Sequence, residues 1–468
     1  MKILEISAGL NPAVGRSNVY LDSLPKALAE LGHEVTAMHM AEIGPWRKRL
    51  HLEFHEGLVR TIAVRNSGVY AGLPPGGGTG TARPRREVVP SESLRRAVAT
   101  VVRQISPDVV HLQNLFGFPI GLLPELRLTN AAVAMTEHGY FSICPTAHLF
   151  KPSGELCTLS RDELTCSRCC VKSQNYAMFR LVLSLNERLD NMSHGSPAWK
   201  SLARVRNGLL RANHAALRVF ATDGPYRRRF DAMREMLHEL DLVHCISNLQ
   251  ALRLQEAVGV LTNLSVLPLV SPTLTKIVPV PRKRHPGEKV HFAVLNVFPG
   301  RMDKGWGYMH AVVARLEKER ADFQVDWYAE GTDTARVRYQ GGYTENDLDR
   351  IASQADFCVM PSIGLETLGF SSLEMLARGV PLICSNRCGV AESVRDLKTG
   401  YIFDPSSEDN LHKVMSSVLR TPETAVQMRT AQTEACKGMQ TFQEHVTDMS
   451  AMLEQLAARP RRGRRKSL

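Results

Sequence analysis

Short apolar runs alternate along this chain with stretches whose apolar residues recur at helical spacing, and the two periods change places repeatedly. The opening KILEISAG reads as a strand. A loop containing Gly15 and a helical stretch follow, and after Gly32 the segment EVTAMHM reads as a second strand. SLRRAVATVVRQISPDVVHLQNLFG supplies a helix and the strand DVVHLQ, AAVAMTEHGYFS a strand whose end carries His138, and DLVHCIS another buried strand. Pro, Gly and basic residues crowd LPLVSPTLTKIVPVPRKRHPGEK as linkers do, which puts a domain boundary near residue 280. Beyond it the alternation restarts, with strands at KVHFAVLNVFPG, FQVDWYAEG, DFCVMPS, PLICSN and YIFDP and helices between them. Repeated strand–helix–strand units build parallel sheets with helices on both faces, and ligands bind where the strands end. The expected fold class is therefore α/β, with two doubly wound domains facing a cleft.

Residues 1–280 would form the first domain, 281–440 the second, and 441–468 a C-terminal helix with a basic tail. A chain of 468 residues is too long for one ordinary core, in keeping with this division. With 44% hydrophobic and 22% charged residues the composition is that of a globular protein, and no uncharged apolar run is long enough to span a bilayer. The start MKILEISAG reads as a first strand rather than a signal peptide, so a cytoplasmic enzyme is expected.

The net charge of +11 is uneven: residues 171–240 hold ten Arg and two Lys against six Asp or Glu, and the tail RPRRGRRKSL is also strongly basic. Such excess suits anionic partners, including phosphates and an acidic membrane surface, with Trp199, Phe220 and Tyr226 as interfacial anchors beside a helical shelf. A solvated helical face with a solubilising tail accounts for the same residues. No zinc-finger, RRM or KH signature accompanies the charge, so nucleic acid is not an expected partner.

Candidate chemistry concentrates after the strands of the second half. GRMDKG offers Arg301 and Lys304, two cations able to hold a diphosphate through charge-assisted hydrogen bonds. ETLGFSSLE follows a later strand and carries two carboxylates, Glu366 and Glu374, around Gly369. The simplest account of its second half is a capping box, Ser371 as N-cap and Glu374 three residues on, which leaves Glu366 without a structural task.

Taken together and in this order, these segments resemble the GT-B glycosyltransferases of the large retaining family 4. The specific element is Glu-x7-Glu, here Glu366 to Glu374, preceded by MPS and followed by LARGVPLI. The resemblance implies two Rossmann-like domains and a metal-independent, retaining transfer from a UDP- or GDP-sugar to a glycan or lipid-linked acceptor, with no cofactor required for catalysis. It implies that Glu366 lies near the donor sugar, that Glu374 binds the ribose, and that Arg301 and Lys304 contact the diphosphate, with Gly15, Thr367, Leu368 and Gly369 completing the donor site. PDVVHLQNLFG, with His111 and Asn114, resembles the acceptor-side segment. TEHGYFSICP resembles a subgroup's His-Asp-Tyr-Trp stretch, with His138 in the place of the active-site histidine. Two positions depart from the pattern: Arg301 and Lys304 are closer together than the family's pair commonly is, and Gly139 stands where the subgroup often has Asp. The other major transferase fold uses Asp-x-Asp with a metal, and the match DLD at 347–349 reads as solvated helical charge.

Of ten cysteines, five fall between Cys144 and Cys170 in a short insertion after the histidine. Cys144, Cys157, Cys166 and Cys169 are candidate ligands of a structural zinc, with reduced thiols and disulfides as the alternatives.

Overall fold

Buried parallel strands read as continuous apolar runs, and two such sheets organise the protein. The computed structural model describes residues 1–8, 16–41, 51–65, 88–113, 118–159, 166–170, 185, 192, 196–220, 223–285 and 287–459. The first sheet contains β1 (Lys2–Ala8), β2 (Glu34–Ala41), β3 (His51–Glu56), β4 (Val59–Arg65), β5 (Val109–Leu112), β6 (Ala132–Glu137), β7 (Leu242–Cys245) and β8 (Leu264–Val266). Its order is β3-β4-β2-β1-β5-β6-β7-β8, with every pair parallel except the hairpin β3–β4. The second sheet contains β9 (Val290–Val294), β10 (Phe323–Trp327), β11 (Val337–Tyr339), β12 (Phe357–Met360), β13 (Leu382–Ser385) and β14 (Gly400–Phe403), in the order β11-β10-β9-β12-β13-β14 and parallel throughout. In each, the order reverses beside the first strand of the unit, which opens a crevice at the carboxyl ends of the strands.

Amphipathic helices cover both sheets. On the first lie α1 (Arg16–Glu30) and α2 (Glu92–Ile105), whose Leu94, Val98, Val101, Val102 and Ile105 face the core while Ser91 caps the first turn. The basic segment is helical where described, as α3 (Pro197–Phe220) and α4 (Gly224–Glu239). It is not uniformly a surface: Tyr226 is buried, and so is Arg229, which donates to the Phe141 carbonyl at 2.7 Å with its guanidinium 4.5 Å above the Phe141 ring. Tyr226 therefore belongs to the core rather than to an interfacial anchor. α5 (Asn248–Val258) follows β7, and α6 (Trp306–Glu319), α7 (Leu348–Gln354), α8 (Phe370–Ala377), α9 (Glu408–Arg420) and α10 (Glu423–Cys436) accompany the second sheet.

The last helix, α11 (Phe442–Ala458), returns to the first sheet. A capping box of Thr441 and Glu444 starts it. The hydroxyl of Tyr20 lies 2.8 Å from His445 Nε2, and His33 Nε2 lies 2.7 Å from Ser450 Oγ, so α11 is pinned to α1 and ties the two halves together. No helix among the described residues is long and apolar enough to cross a membrane.

Candidate functional site

The carboxyl ends of the two sheets meet. After β7, Ser247 donates to the Thr367 carbonyl at 2.6 Å, and the Thr367 hydroxyl donates to the His138 carbonyl at 3.0 Å. Glu392 reaches across to the start of α5 and accepts from the backbone N–H groups of Asn248 and Leu249 at 3.1 and 2.7 Å, where helix-end donors favour a carboxylate. On the first sheet's side of that seam, Gln250 donates to the carbonyls of Glu137 and Gly139, both at 2.7 Å.

On the second sheet's side, Glu366 is fixed by backbone pairing. Its N–H donates to the Arg387 carbonyl and its carbonyl accepts from Gly389, each at 2.9 Å, while Val390 N–H donates to Leu368 at 2.8 Å. Its carboxylate meets Lys304 Nζ at 2.5 Å, and both side chains are largely buried. Two of the residues expected at the donor site are thus in direct contact. Arg301, the third, turns aside: its Nε and Nη2 grip both oxygens of Asp303 at 2.8 and 2.5 Å. Burial opposes ionisation of Asp303, but the Arg301 hydrogen bonds, with the charges of Arg301, His148 and Lys304, outweigh it and hold the carboxyl at about 2. The Asp303 carbonyl accepts from Ile363 and Gly364 at 3.0 and 2.8 Å, tying the Arg301–Lys304 loop to the one bearing Glu366. Gly305, at φ +80°, lets that loop approach: a Cβ there would lie 2.0 Å from the Pro361 carbonyl oxygen.

The other carboxylate departs from expectation. The residue that caps α8 is Gly369, at φ +102°, and it makes no side-chain cap bond. Ser371 lies inside the helix, and Glu374 is fully buried and accepts from Ser271 Oγ at 2.7 Å and Thr273 Oγ1 at 2.8 Å, both in the linker between the sheets. The capping box fails because the helix begins one residue before Ser371, which commits Glu374 to an inward face.

On the first sheet's side, β1, β5, β6 and β7 carry a buried polar row in register. His111 is fully enclosed, with Nδ1 3.0 Å from Glu5 Oε1 and Nε2 2.7 Å from Thr136 Oγ1, and Thr136 Oγ1 lies 2.9 Å from His244 Nδ1. His244 Nε2 faces the Leu267 carbonyl at 2.7 Å and must donate to it. Burial keeps His244 neutral, at about 3, so its Nδ1 accepts from Thr136 and the Thr136 oxygen accepts from His111. His111 is therefore an interior group and does not touch an acceptor, contrary to its expected place.

Gln113 extends the row to His138. Its amide donates to Glu5 Oε2 at 2.8 Å, which leaves Oε1 to face His138 Nε2 at 2.9 Å. His138 Nε2 therefore carries the proton, and Nδ1 is an acceptor, buried and without a hydrogen-bond partner among the described residues. Burial lowers His138 to about 3, with the charges of His244 and His111 adding to the shift, so the ring is neutral at ordinary pH. Nearby, the Tyr140 hydroxyl is buried without a partner among the described residues, and burial and the Glu366 carboxylate both keep it protonated.

Gly15 and Asn114 lie outside the described residues. The four cysteines of the insertion line one small recess with Phe150 and Lys151, yet none of them is joined in a disulfide, and no group of three or more His, Cys, Asp or Glu side chains among the described residues is arranged to hold a metal ion. The expectation of a structural zinc is therefore not supported. Burial first, then the neighbouring thiols, raise Cys166 well above the usual range and Cys169 to about 11, so both stay protonated and unreactive at neutral pH. Asp303, Gln113, Ser271 and Thr273 had no role assigned from the sequence. Asp303 stands inside GRMDKG and Gln113 two positions after His111, so proximity to motif residues was the available signal.

Residues 326–435 match the family described as "Glycosyl transferases group 1". Over 101 residues, 20% of this chain, the sequence is 33% identical to a GDP-mannose-dependent alpha-(1-6)-phosphatidylinositol monomannoside mannosyltransferase of Mycobacterium tuberculosis, and the match spans 26% of that relative's length. Among solved structures, the sucrose-phosphate synthase from Thermosynechococcus elongatus superposes with a TM-score of 0.62 at 17% identity, covering 98% of this chain and 99% of that one. HepE from Anabaena, in complex with UDP and glucose, superposes at 0.56 with 11% identity, covering 97% and 99%. The architecture is that of the GT-B fold, two Rossmann-like sheets facing each other.

Proposed function

We propose that the protein is a glycosyltransferase that moves a sugar from a UDP- or GDP-linked donor to a glycan or lipid-linked acceptor in polysaccharide or glycoconjugate assembly. In this reading the transfer retains anomeric configuration and requires no catalytic metal. The observation that carries it is the contact of Lys304 with Glu366 at 2.5 Å, beside Arg301, with Glu366 inside the matched family segment and Lys304 ahead of it. Donors linked to GDP are favoured by the name of the mannosyltransferase relative, and UDP by the ligand of the HepE structure.

Transfer requires that the departing diphosphate be stabilised while positive charge develops at the anomeric carbon. Lys304 and Arg301 supply fixed positive charge in a partly desolvated site, where such preorganised groups act most strongly. Glu366, relieved of Lys304 by the diphosphate, orients the sugar and faces its developing charge. His138 Nδ1, held as an acceptor by Gln113, takes a sugar hydroxyl, and Glu374 takes the ribose in exchange for the linker hydroxyls. Gly369 gives close backbone approach beside Thr367 and Leu368. Residues 1–280 would hold the acceptor and 281–440 the donor, and the basic segment and tail would draw the protein to the anionic inner face of a membrane.

A donor-by-acceptor screen tests this reading. Acceptor-dependent release of nucleoside diphosphate, undiminished by EDTA and with the donor's anomeric configuration in the product by NMR, is expected. Hydrolysis or inversion, or full activity in both Glu366→Ala and Lys304→Ala, would overturn the assignment.

A further inference from the structure

His148, one of the groups acting on Asp303, is the residue that the cysteine-bearing insertion delivers across the cleft. Its Nδ1 stands 3.9 Å from Asp303 Oδ2, and its side chain is 36% exposed. The insertion is built to hold it there. Tyr140 N–H donates to the Ala147 carbonyl at 3.3 Å, Ala147 N–H donates to Cys144 at 2.9 Å, and Cys157 N–H donates to Leu149 at 2.8 Å. Both residues flanking the histidine, Ala147 at φ +62° and Leu149 at φ +49°, adopt the left-handed conformation although neither is glycine. Such backbone is costly and persists where surrounding structure over-determines it, as at ligand sites. Leu149 is fully buried, so the turn is anchored from below. A second contact crosses the cleft at Gly154, where a Cβ would lie 3.3 Å from Met302 Cε.

The chemistry follows from competition for Asp303. The Nε–Nη2 edge of Arg301 is committed to that carboxylate, and a diphosphate that takes the same bidentate edge must displace Asp303 from it. Once Arg301 leaves, a carboxylate only 14% exposed is uncovered, and an unpaired buried charge is strongly unfavourable. We infer that His148 is a positioning residue for donor binding: when a nucleoside diphosphate draws Arg301 away, the imidazole closes onto Asp303 and takes its place. This rests on the nucleotide-sugar reading of the same site. The groups facing His148 are Asp303, Arg301, Lys304 and Glu366, and burial lowers its affinity for a proton in their presence. Adding the negative charge of a diphosphate and freeing Asp303 both work against that lowering, so binding takes up a proton on His148.

Titration calorimetry of the full chain with UDP and with GDP, near pH 7 in buffers of unequal protonation enthalpy, tests this. Wild type is expected to take up a fraction of a proton as the nucleotide binds. His148→Gln keeps a donor and should bind nearly as tightly without proton uptake, whereas His148→Ala should weaken binding about tenfold, the size of one charge-assisted hydrogen bond. In an Asp303→Asn background the His148→Ala change should cost nothing further. Thermal unfolding of each variant separates lost binding from lost folding. Wild-type affinity and proton uptake in both His148 variants, or additive effects with Asp303→Asn, would overturn the inference and leave the nucleotide-sugar reading standing. Failure of the wild type to bind either nucleotide would overturn both.

Discussion

Lys304 Nζ and Glu366 Oε1 meet at 2.5 Å, each from a loop at the end of a different strand of the second sheet. The contact neutralises a cation that the proposed reaction needs, so the donor's phosphates must displace a carboxylate to reach it. Lys304→Met should lower kcat by about 10²–10³-fold, the usual effect of deleting one donor from a preorganised anion site. Glu366→Gln should lower kcat too, and the double variant should lose less than the two single losses combined because each side chain is the other's resting partner. Steady-state kinetics with a fixed acceptor measures all three, and strict additivity would separate the two roles.

The seam between the halves is equally specific. A Cβ at Gly389 would lie 2.1 Å from the Thr367 carbonyl oxygen and 2.8 Å from Ser247 Oγ, the two groups that bond across the cleft. Backbone cannot yield as a flexible side chain does. Gly389→Ala should therefore destabilise the protein by about 1–3 kcal/mol, as overpacking does, and shift the seam that carries His138. Calorimetric unfolding reads the first effect and donor KM the second.

Stability should also depend on pH through buried histidines. His138 and His244 are lowered to about 3 and His445 to about 4, in each case by burial first, against an ordinary value of 6.5. Below pH 6.5 the unfolded chain binds these protons and the native one does not, so stability falls with falling pH. Glu137 opposes this: burial raises it from 4.5 to about 7, so between those values the native state holds a proton that the unfolded state has lost, and stability falls as pH rises. Among these four groups, three protons against one leave a net loss on acidification of about 3 kcal/mol per pH unit between the two ordinary values, and His33, His148 and His310, also lowered by burial, act in the same direction. Below the ordinary glutamate value the opposition ends and the loss steepens. Urea unfolding at several pH values should show this break, and Glu137→Gln should remove it.

What could be read from the residues divides along physical lines. Strands such as Phe357–Met360 and Leu382–Ser385 are buried on both faces, so their apolar runs stand out. The hairpin His51–Glu56 with Val59–Arg65 mixes charged and apolar positions and lacks that signature, and Leu264–Val266 and Val337–Tyr339 are too short to show a period. The placement of Arg301, Lys304 and Glu366 after strands was legible because each stands in a recognisable setting, but their pairing was not. Arg301 takes Asp303 within its own loop, and Lys304 takes Glu366 because Gly305 and the Asp303 carbonyl bring two loops together. His111 misled for the same reason, since Glu5 comes beside it, and His244 beside its partner Thr136, through strand register, which a linear pattern does not carry.

Glu374 presents the sharpest choice between a structural and a binding role. Its carboxylate accepts from Ser271 and Thr273, both in the linker that joins the two sheets, and the side chain is fully buried. Glu374→Ala leaves two linker hydroxyls without their acceptor and should cost about 1–3 kcal/mol of stability. A paired variant, Ser271→Ala with Thr273→Val, removes the linker's hold and keeps the carboxylate. If Glu374 serves only the linker, both variants lose stability and neither changes nucleotide affinity. If it takes the ribose, Glu374→Ala weakens nucleotide binding while the paired variant strengthens it, because the ribose hydroxyls no longer compete with Ser271 and Thr273. Opposite signs in a titration with UDP or GDP, compared with the 2′,3′-dideoxynucleotide, are the outcome expected here.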